Sequence, residues 1–420
     1  MKRLLTKISV VVACMSSMYA CLPHDEDYNN INVAFIDSVN ILKLCPSHHT
    51  LVADGKAELV LNVKLYEDYN TEILPSRIPE DWVEYYTADG EKLTKYLKTS
   101  DANKSQIRVY AQLKGYDEIE DENRKYGLKS DTLTIDIKKP LEENRYQAIK
   151  YPIVFHVIQT SDDIKNYGEV DTKRLMEYYN KLNQVFSGEL GVAPTGGNAK
   201  ISFELAEYDP LGRPLLEKGV NKYTLEKGSV GTDYYSFIAS KRLVWDPQKY
   251  LNVWLIRGAE QPQNNYCRPY NSWENLAEEI PGLKMNEVPE GSPASTVPQH
   301  AGILLNMSSV TSYNNNVQDM VYYFGQYFGL LPNYSSTVVN NYCPDALVYE
   351  VRPNNLLNIG YTKKAYIDDI EYMFVADNIM DDPKSHHKTI TLDQIERIRK
   401  IMAMCPERQA YKSDFAVTGK

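Results

Sequence analysis

The stretch Tyr322-Tyr323-Phe324-Gly325-Gln326-Tyr327-Phe328-Gly329-Leu330-Leu331-Pro332 decides how the rest of this 420-residue chain is read. Val317, Val321, Phe324 and Phe328 recur at helical spacing, so a helix with one buried stripe is expected here. Gly329, free to adopt positive φ, supplies a turn at its end. The helix carries no histidine. The chain has only seven, at positions 24, 48, 49, 156, 300, 386 and 387, and no two stand four apart. No helix can therefore present the i, i+4 histidine pair that zinc hydrolases use.

Upstream, strands alternate with helices. Tyr151-Pro152-Ile153-Val154-Phe155-His156-Val157-Ile158 is a near-continuous apolar run, expected to be a buried strand with His156 a satisfied core residue. Leu175, Tyr179, Leu182 and Phe186 fall at helical spacing, with Asp171 to cap the start and Gly188 to end it. Ile201, Phe203 and Leu205 alternate with polar residues, and Leu251–Ile256 and Gly302–Leu305 are further apolar strands. Residues 146–420 are thus expected to form an α/β (α+β) domain.

Residues 30–145 read differently. Val52-Ala53-Asp54-Gly55 and Ala88-Asp89-Gly90 are turns, and Leu59–Leu65, Ile107–Ala111 and Ser130–Ile137 are short strands. This spacing predicts an N-terminal β-sandwich that resembles bacterial immunoglobulin-like modules, joined through the charged linker Lys138–Tyr146.

The segments Tyr151–Ile158, Leu182–Gly188 and Leu251–Leu255 resemble the catalytic domain of pappalysin-like metzincin zinc proteases. The resemblance is to zinc-dependent metalloproteinase lipoproteins, which place this domain behind an immunoglobulin-like one. It continues downstream through Asn341-Tyr342-Cys343-Pro344-Asp345 and through Asp377–Asp382, which resembles the Met-turn with Met380 under the site. The closing helix from Thr391 begins with a capping box between Thr391 and Gln394. The likeness covers about residues 148–410.

That family bears H-E-x-x-H-x-x-G-x-x-H, in which three histidines hold zinc and the glutamate takes a proton from the zinc-bound water. Gly329 keeps the position of the motif's glycine. Tyr322 stands in place of the first histidine, Tyr323 of the glutamate, Gln326 of the second histidine and Pro332 of the third. A phenol with a pKa of about 10 is protonated near neutrality, and proline has no ligating side-chain atom. Zinc binding worth about 10–16 kcal/mol rests on several ligands acting together, so the cofactor is expected to be lost.

The N-terminus adds an address. Lys2, Arg3 and Lys7 precede the apolar run Ile8–Met15, the form of a secretory signal spanning residues 1–20. Met18-Tyr19-Ala20-Cys21 resembles the lipobox of bacterial lipoproteins, which makes Cys21 the acylation site. His24-Asp25-Glu26-Asp27 resembles the acidic tag of surface-exposed Gram-negative lipoproteins, and residues 21–29 are read as a tether. Removing the signal leaves 43 basic against 56 acidic side chains, a net charge of −13. An acidic body excludes nucleic acid as the main partner and favours anchoring by acyl chains over a basic patch. Cys45, Cys267, Cys343 and Cys405 then remain, and an even number in an exported chain permits disulfides whose pairing stays open.

The expected function is that of a pseudo-protease anchored to the outer membrane, exposed at the cell surface and binding an extracellular protein or peptide without hydrolysis. One alternative is an active zinc-dependent endopeptidase with a relocated site. Its densest candidate is Asp381, Asp382, His386 and His387, which Pro383, Lys384 and Ser385 mark as a solvated turn. Another is an adhesive lipoprotein acting through its β-sandwich. His48-His49, next to Cys45 and Pro46, reads as a loop. The former zinc cavity is expected to be filled by Tyr322, Tyr323, Gln326 and Tyr327 as a hydrogen-bonded cluster.

Overall fold

The computed structural model describes residues 39–74, 82–113, 128–259, 280–282, 301–311, 320–336, 340–352 and 358–420. The signal and tether with Cys21, and His24, Cys267, His300 and Val317, lie outside the described residues. The architecture is mixed α/β. Contacts divide the chain into two compact units. The first comprises residues 1–45, 61–95 and 108–133; the second comprises 46–60, 96–107 and 134–420.

Up to residue 138 the described elements are all strands. They are β1 (Ile41–Pro46), β2 (Thr50–Val52), β3 (Leu59–Asp68), β4 (Thr71–Ile73), β5 (Val83–Thr87), β6 (Lys92–Leu93), β7 (Tyr96–Leu97), β8 (Gln106–Leu113) and β9 (Leu133–Lys138). In the first unit β3 pairs antiparallel with β4, and β5 pairs antiparallel with both β6 and β8. Alternation is clean in β8, where Val109, Ala111 and Leu113 are buried between more exposed neighbours. In the second unit β2 runs parallel to β9, with Leu51 opposite Ile137.

The centre of the second unit is a five-stranded parallel sheet. Strand β10 (Ile149–Thr160) pairs with β11 (Ile201–Leu205) along its first half and with β12 (Val220–Leu225) along its second. On its other edge lies β13 (Leu251–Ile256), followed by β14 (Gly302–Asn306). A strand covered on both faces must be apolar almost throughout, and Tyr151 to Gln159 is buried at every position. His156 is satisfied there, accepting from Asn221 Nδ2 at 2.9 Å and contacting Asn252 Oδ1 at 3.0 Å. Burial lowers its pKa to about 4.

Helices α1 (Ser161–Tyr167) and α2 (Thr172–Phe186) follow β10. Asp171 caps α2 by accepting from Lys173 N, and Gly188 turns the chain at φ +72°. Leu182, Val185 and Phe186 face inward, while Tyr179 is half-buried and donates its hydroxyl to Phe203 O. After β12 come α3 (Tyr234–Ser240) and, beyond β14, α4 (Met307–Thr311). The reading from periodicity lacks β12 and the short helices, whose patterns extend over only five to seven residues.

Helix α5 (Met320–Tyr327) packs beneath this sheet: Phe324 meets Phe203 edge-on at 5.3 Å, and Phe328 meets Tyr151 at 5.5 Å. Its eight residues are all buried, so the expectation of a single apolar stripe is corrected to burial all round. The chain continues through β15 (Tyr334–Ser335), β16 (Tyr349–Glu350) and a hairpin of β17 (Thr362–Ile367) and β18 (Ile370–Val375). Asp368 and Asp369 join the hairpin, both at positive φ, as a two-residue turn of matching twist requires. Helices α6 (Leu392–Met404) and α7 (Phe415–Thr418) close the chain. Among the described residues, no helix is long and apolar enough to cross a membrane. Cys45, Cys343 and Cys405 are buried as thiols.

Candidate functional site

Helix α5 ends as its sequence requires. Leu330 N donates to Gly325 O and Gly329 N to Gln326 O, with Gly329 at φ +80°, the pattern of a Schellman cap. Arg397 Nε from α6 donates to Gly329 O at 2.7 Å and secures the turn. Gly325 has a separate reason. A Cβ there would come within 2.4 Å of Met380 Sδ, so the glycine lets the Met380 turn seat directly against the helix.

The turn itself is built from amides. Asn378 Oδ1 accepts from Met380 N, and Asn378 N donates to Asp381 Oδ2 at 3.0 Å. Asn333, just past Pro332, donates Nδ2 to Asp381 Oδ1 and to Asn378 Oδ1, while its backbone N donates to Met380 O. Asn341 donates to Asn333 Oδ1. The capping box of α6 is present: Thr391 N donates to Gln394 Oε1, and Gln394 N to Thr391 Oγ1. Gln394 does more than cap. Its amide pairs reciprocally with that of Asn378, at 2.8 and 3.0 Å, and so ties α6 to the turn.

Above the turn, Tyr322, Tyr323 and Gln326 are 5–6% exposed. Gln326 Nε2 donates to Tyr322 Oη at 3.2 Å. The Tyr322 ring lies 5.3 Å from Tyr323, and 6.4 Å from both Tyr334 and His387. Burial, and secondarily Tyr334, pushes the Tyr323 phenol above its ordinary range. Tyr327 departs from the expected cluster. A residue one position beyond Gln326 leaves on another face of the helix, and its hydroxyl donates to Glu407 O while Arg408 stacks 3.6 Å over its ring. Pro332 is half-buried and contributes no donor atom.

These residues do not fit a zinc ion. Tyr322 is a buried phenol hydrogen-bonded to an amide, burial disfavours ionisation of Tyr323, and Pro332, at the position expected for a third ligand, has no ligating side-chain atom. Among the described residues, no group of three His, Cys, Asp or Glu side chains is placed to hold a metal.

The stretch expected as a solvated turn is corrected in part. Pro383 and Lys384 are exposed, but Asp381, Asp382 and His387 are buried because the turn folds back on β16 and β17. They diverge rather than converge. Asp381 faces Asn333, whereas Asp382 Oδ2 accepts from Tyr349 Oη at 2.8 Å and pairs with the buried Lys363 at 2.6 Å. His387 Nε2 contacts Asp381 O, and His386 stacks on Tyr361 with ring centroids 4.4 Å apart. Burial raises Asp381 to about 8, with Asp377 and Asp382 adding to the shift.

A second feature carries no signal in the sequence pattern. Lys138 of β9 pairs with Asp345 at 2.9 Å and with Asp393 at the start of α6. Burial and the nearby Asp393 raise Asp345 to about 6 against the opposing pull of Lys138. His49 contacts Pro344 O at 3.0 Å, and His48 stacks on His49 at 4.6 Å.

No family model matches the chain, and no curated protein does. Among solved structures it is similar to Tannerella forsythia mature mirolysin in complex with a cleaved peptide, at 15% identity and a TM-score of 0.42. That similarity covers 64% of this chain and 97% of the other. It is also similar to mirolysin in complex with compound 9, at 16% identity and a TM-score of 0.44, covering 65% and 99%. Mirolysin is a metallopeptidase.

Proposed function

We propose that this chain is a non-catalytic, metalloprotease-like binding protein: a metzincin scaffold whose metal site has become a buried aromatic and amide cluster. The observation that carries the reading is the Gln326–Tyr322 hydrogen bond inside a ring cluster, at the helix positions due to hold two histidines. Pro332 and Tyr323 remove the third ligand and the carboxylate base from the same frame. Gly329, the Met380 turn and the Thr391–Gln394 cap support the reading of a scaffold kept without its chemistry.

The same reading includes export, acylation at Cys21 and exposure at the outer membrane, with residues 30–145 as an immunoglobulin-like module and a protein or peptide as ligand. The support is the signal-like start, Ala20-Cys21 and the acidic run that follows.

Elemental analysis of the purified chain, paired with a peptide-library cleavage assay with and without chelator, tests the proposal. Substoichiometric zinc and no chelator-sensitive cleavage are expected. One zinc per chain with chelator-sensitive cleavage would overturn it. Radiolabelled palmitate incorporation, lost in Cys21→Ala, tests the anchor.

A further inference from the structure

The second unit contains a cavity of about 230 Å³ that no residue of α5 lines. Its apolar walls include Val60, Val192, Pro194, Leu347 and Phe374. Its polar lining is acidic: Asp345, Asp377 and Asp381 all face it, with Glu58 nearby. Glu58 is neutralised by Lys98 at 2.8 Å, and Lys138 is shared between Asp345 and Asp393. Asp377 and Asp381 form no ion pair among the described residues. His48, the imidazole in the lining, is kept neutral because burial holds its pKa well below the usual range.

One atom is left over. Asp345 is 2% exposed; its Oδ2 accepts from Lys138 Nζ and Asp393 N, while its Oδ1 receives no well-aligned hydrogen bond, the Thr391 hydroxyl being the polar side chain that acts on this carboxyl besides Lys138 and Asp393. A buried carboxylate oxygen without a well-placed donor is costly, and such an atom calls for a partner, be it a water, an ion or a ligand. Asp377, which lines the same cavity, accepts from Thr389 Oγ1 through Oδ1 at 2.9 Å.

We infer that this cavity binds a cationic nitrogen, an ammonium or guanidinium on a short aliphatic stem, with its head on Asp345 and Asp377 and its stem against Val192, Pro194 and Leu347. The charge-assisted bond supplies the donor that Asp345 lacks, and the walls bury the methylenes. The inference goes beyond the reading of α5 and holds whether or not that helix binds metal. Two sources of such a group exist: a free amine, or a lysine or arginine side chain of a bound peptide.

Calorimetric titration of the purified chain with n-butylammonium and agmatine, against n-butanol and butyrate, tests the site. The tripeptides Ala-Lys-Ala and Ala-Arg-Ala form a second arm. Saturable binding of the cations and none of the alcohol or the anion is expected. Binding confined to the peptides assigns the group to a protein partner, and binding of the free amines assigns it to a small molecule. Asp345→Asn should weaken binding about tenfold or more, the order expected when one member of a buried charged pair is lost. Ala193→Leu, which fills the half-exposed wall without touching a carboxylate, should abolish binding with an unchanged melting temperature; it decides the question if Asp345→Asn does not fold. No saturable binding of any cation, equal binding of n-butanol, or undiminished binding by Ala193→Leu overturns the proposal.

Discussion

At neutral pH the carboxyl of Asp381 should be protonated in the folded chain and ionised in the unfolded one. Burial, reinforced by Asp377 and Asp382, raises it to about 8, while an exposed aspartate titrates near pH 3.9. For an acid with a raised folded pKa, the native state binds the extra proton, so stability is full below the unfolded pKa and is lost as pH rises towards the folded one. The slope from this single group is about −1.4 kcal/mol per pH unit across that interval. Asp345 and Asp377, each raised to about 6 by burial, add slopes of the same sign only below pH 6. His156, lowered to about 4, and His48, His49 and His386, also lowered chiefly by burial, contribute the opposite slope up to and just beyond their unfolded value near 6.5.

Between pH 6.5 and 8 the Asp381 contribution falls by about 2 kcal/mol while the tail of the histidine titration partly offsets it, so the difference between the parent and Asp381→Asn, which share those histidines, isolates the carboxyl. Asp381→Asn removes the titration. The amide also changes hydrogen bonding to Asn333 and Asn378 N, but that alters stability by the same amount at every pH and leaves the slope interpretable. Urea unfolding of both chains at half-unit pH steps and fixed ionic strength, followed by tryptophan fluorescence, measures it. The stability difference, parent minus Asp381→Asn, is expected to fall by about 2 kcal/mol from pH 6.5 to 8. Equal slopes for the two chains over that window would refute the assignment of a neutral buried Asp381.

Two further substitutions probe the same neighbourhood. Gln394→Ala removes the α6 cap partner and strands the Asn378 amide in a buried site, so urea titration should show a loss of about 3 kcal/mol. Lys363→Met leaves Asp382 buried without its cation and should cost about 3–5 kcal/mol at pH 7 by the same titration; adding Asp382→Leu should recover most of it.

Where the sequence was legible, the physics was local. The run Tyr151–Ile158 has to be a doubly covered strand because no polar residue interrupts it except His156, and the Asp171 and Thr391 caps act on backbone donors two or three residues away. Periodicity does not reveal the hairpin of β17 and β18, because Tyr366, Asp368 and Asp369 obscure its alternation, although an Asp-Asp pair in which both residues take positive φ is an admissible turn signal. Tyr327 leaves the cluster expected from its spacing because that spacing identifies its neighbours on α5 but not the Glu407 and Arg408 that claim it from 80 residues away.

By itself the sequence determined that no helix presents an i, i+4 pair of histidines, since no two of the seven stand four apart and no folding changes that spacing. It also determined the helix stop at Gly329 and the capping of α6. Only the tertiary structure decided which polar groups would be buried together. Asn333 meets Asp381 across 48 residues and Lys138 meets Asp345 across 207, and whether a carboxyl is solvated, neutralised or left with an empty acceptor depends on those distant partners. The buried Asp381 and the acidic cavity follow from that convergence, because desolvation belongs to a place in the fold and not to a residue type.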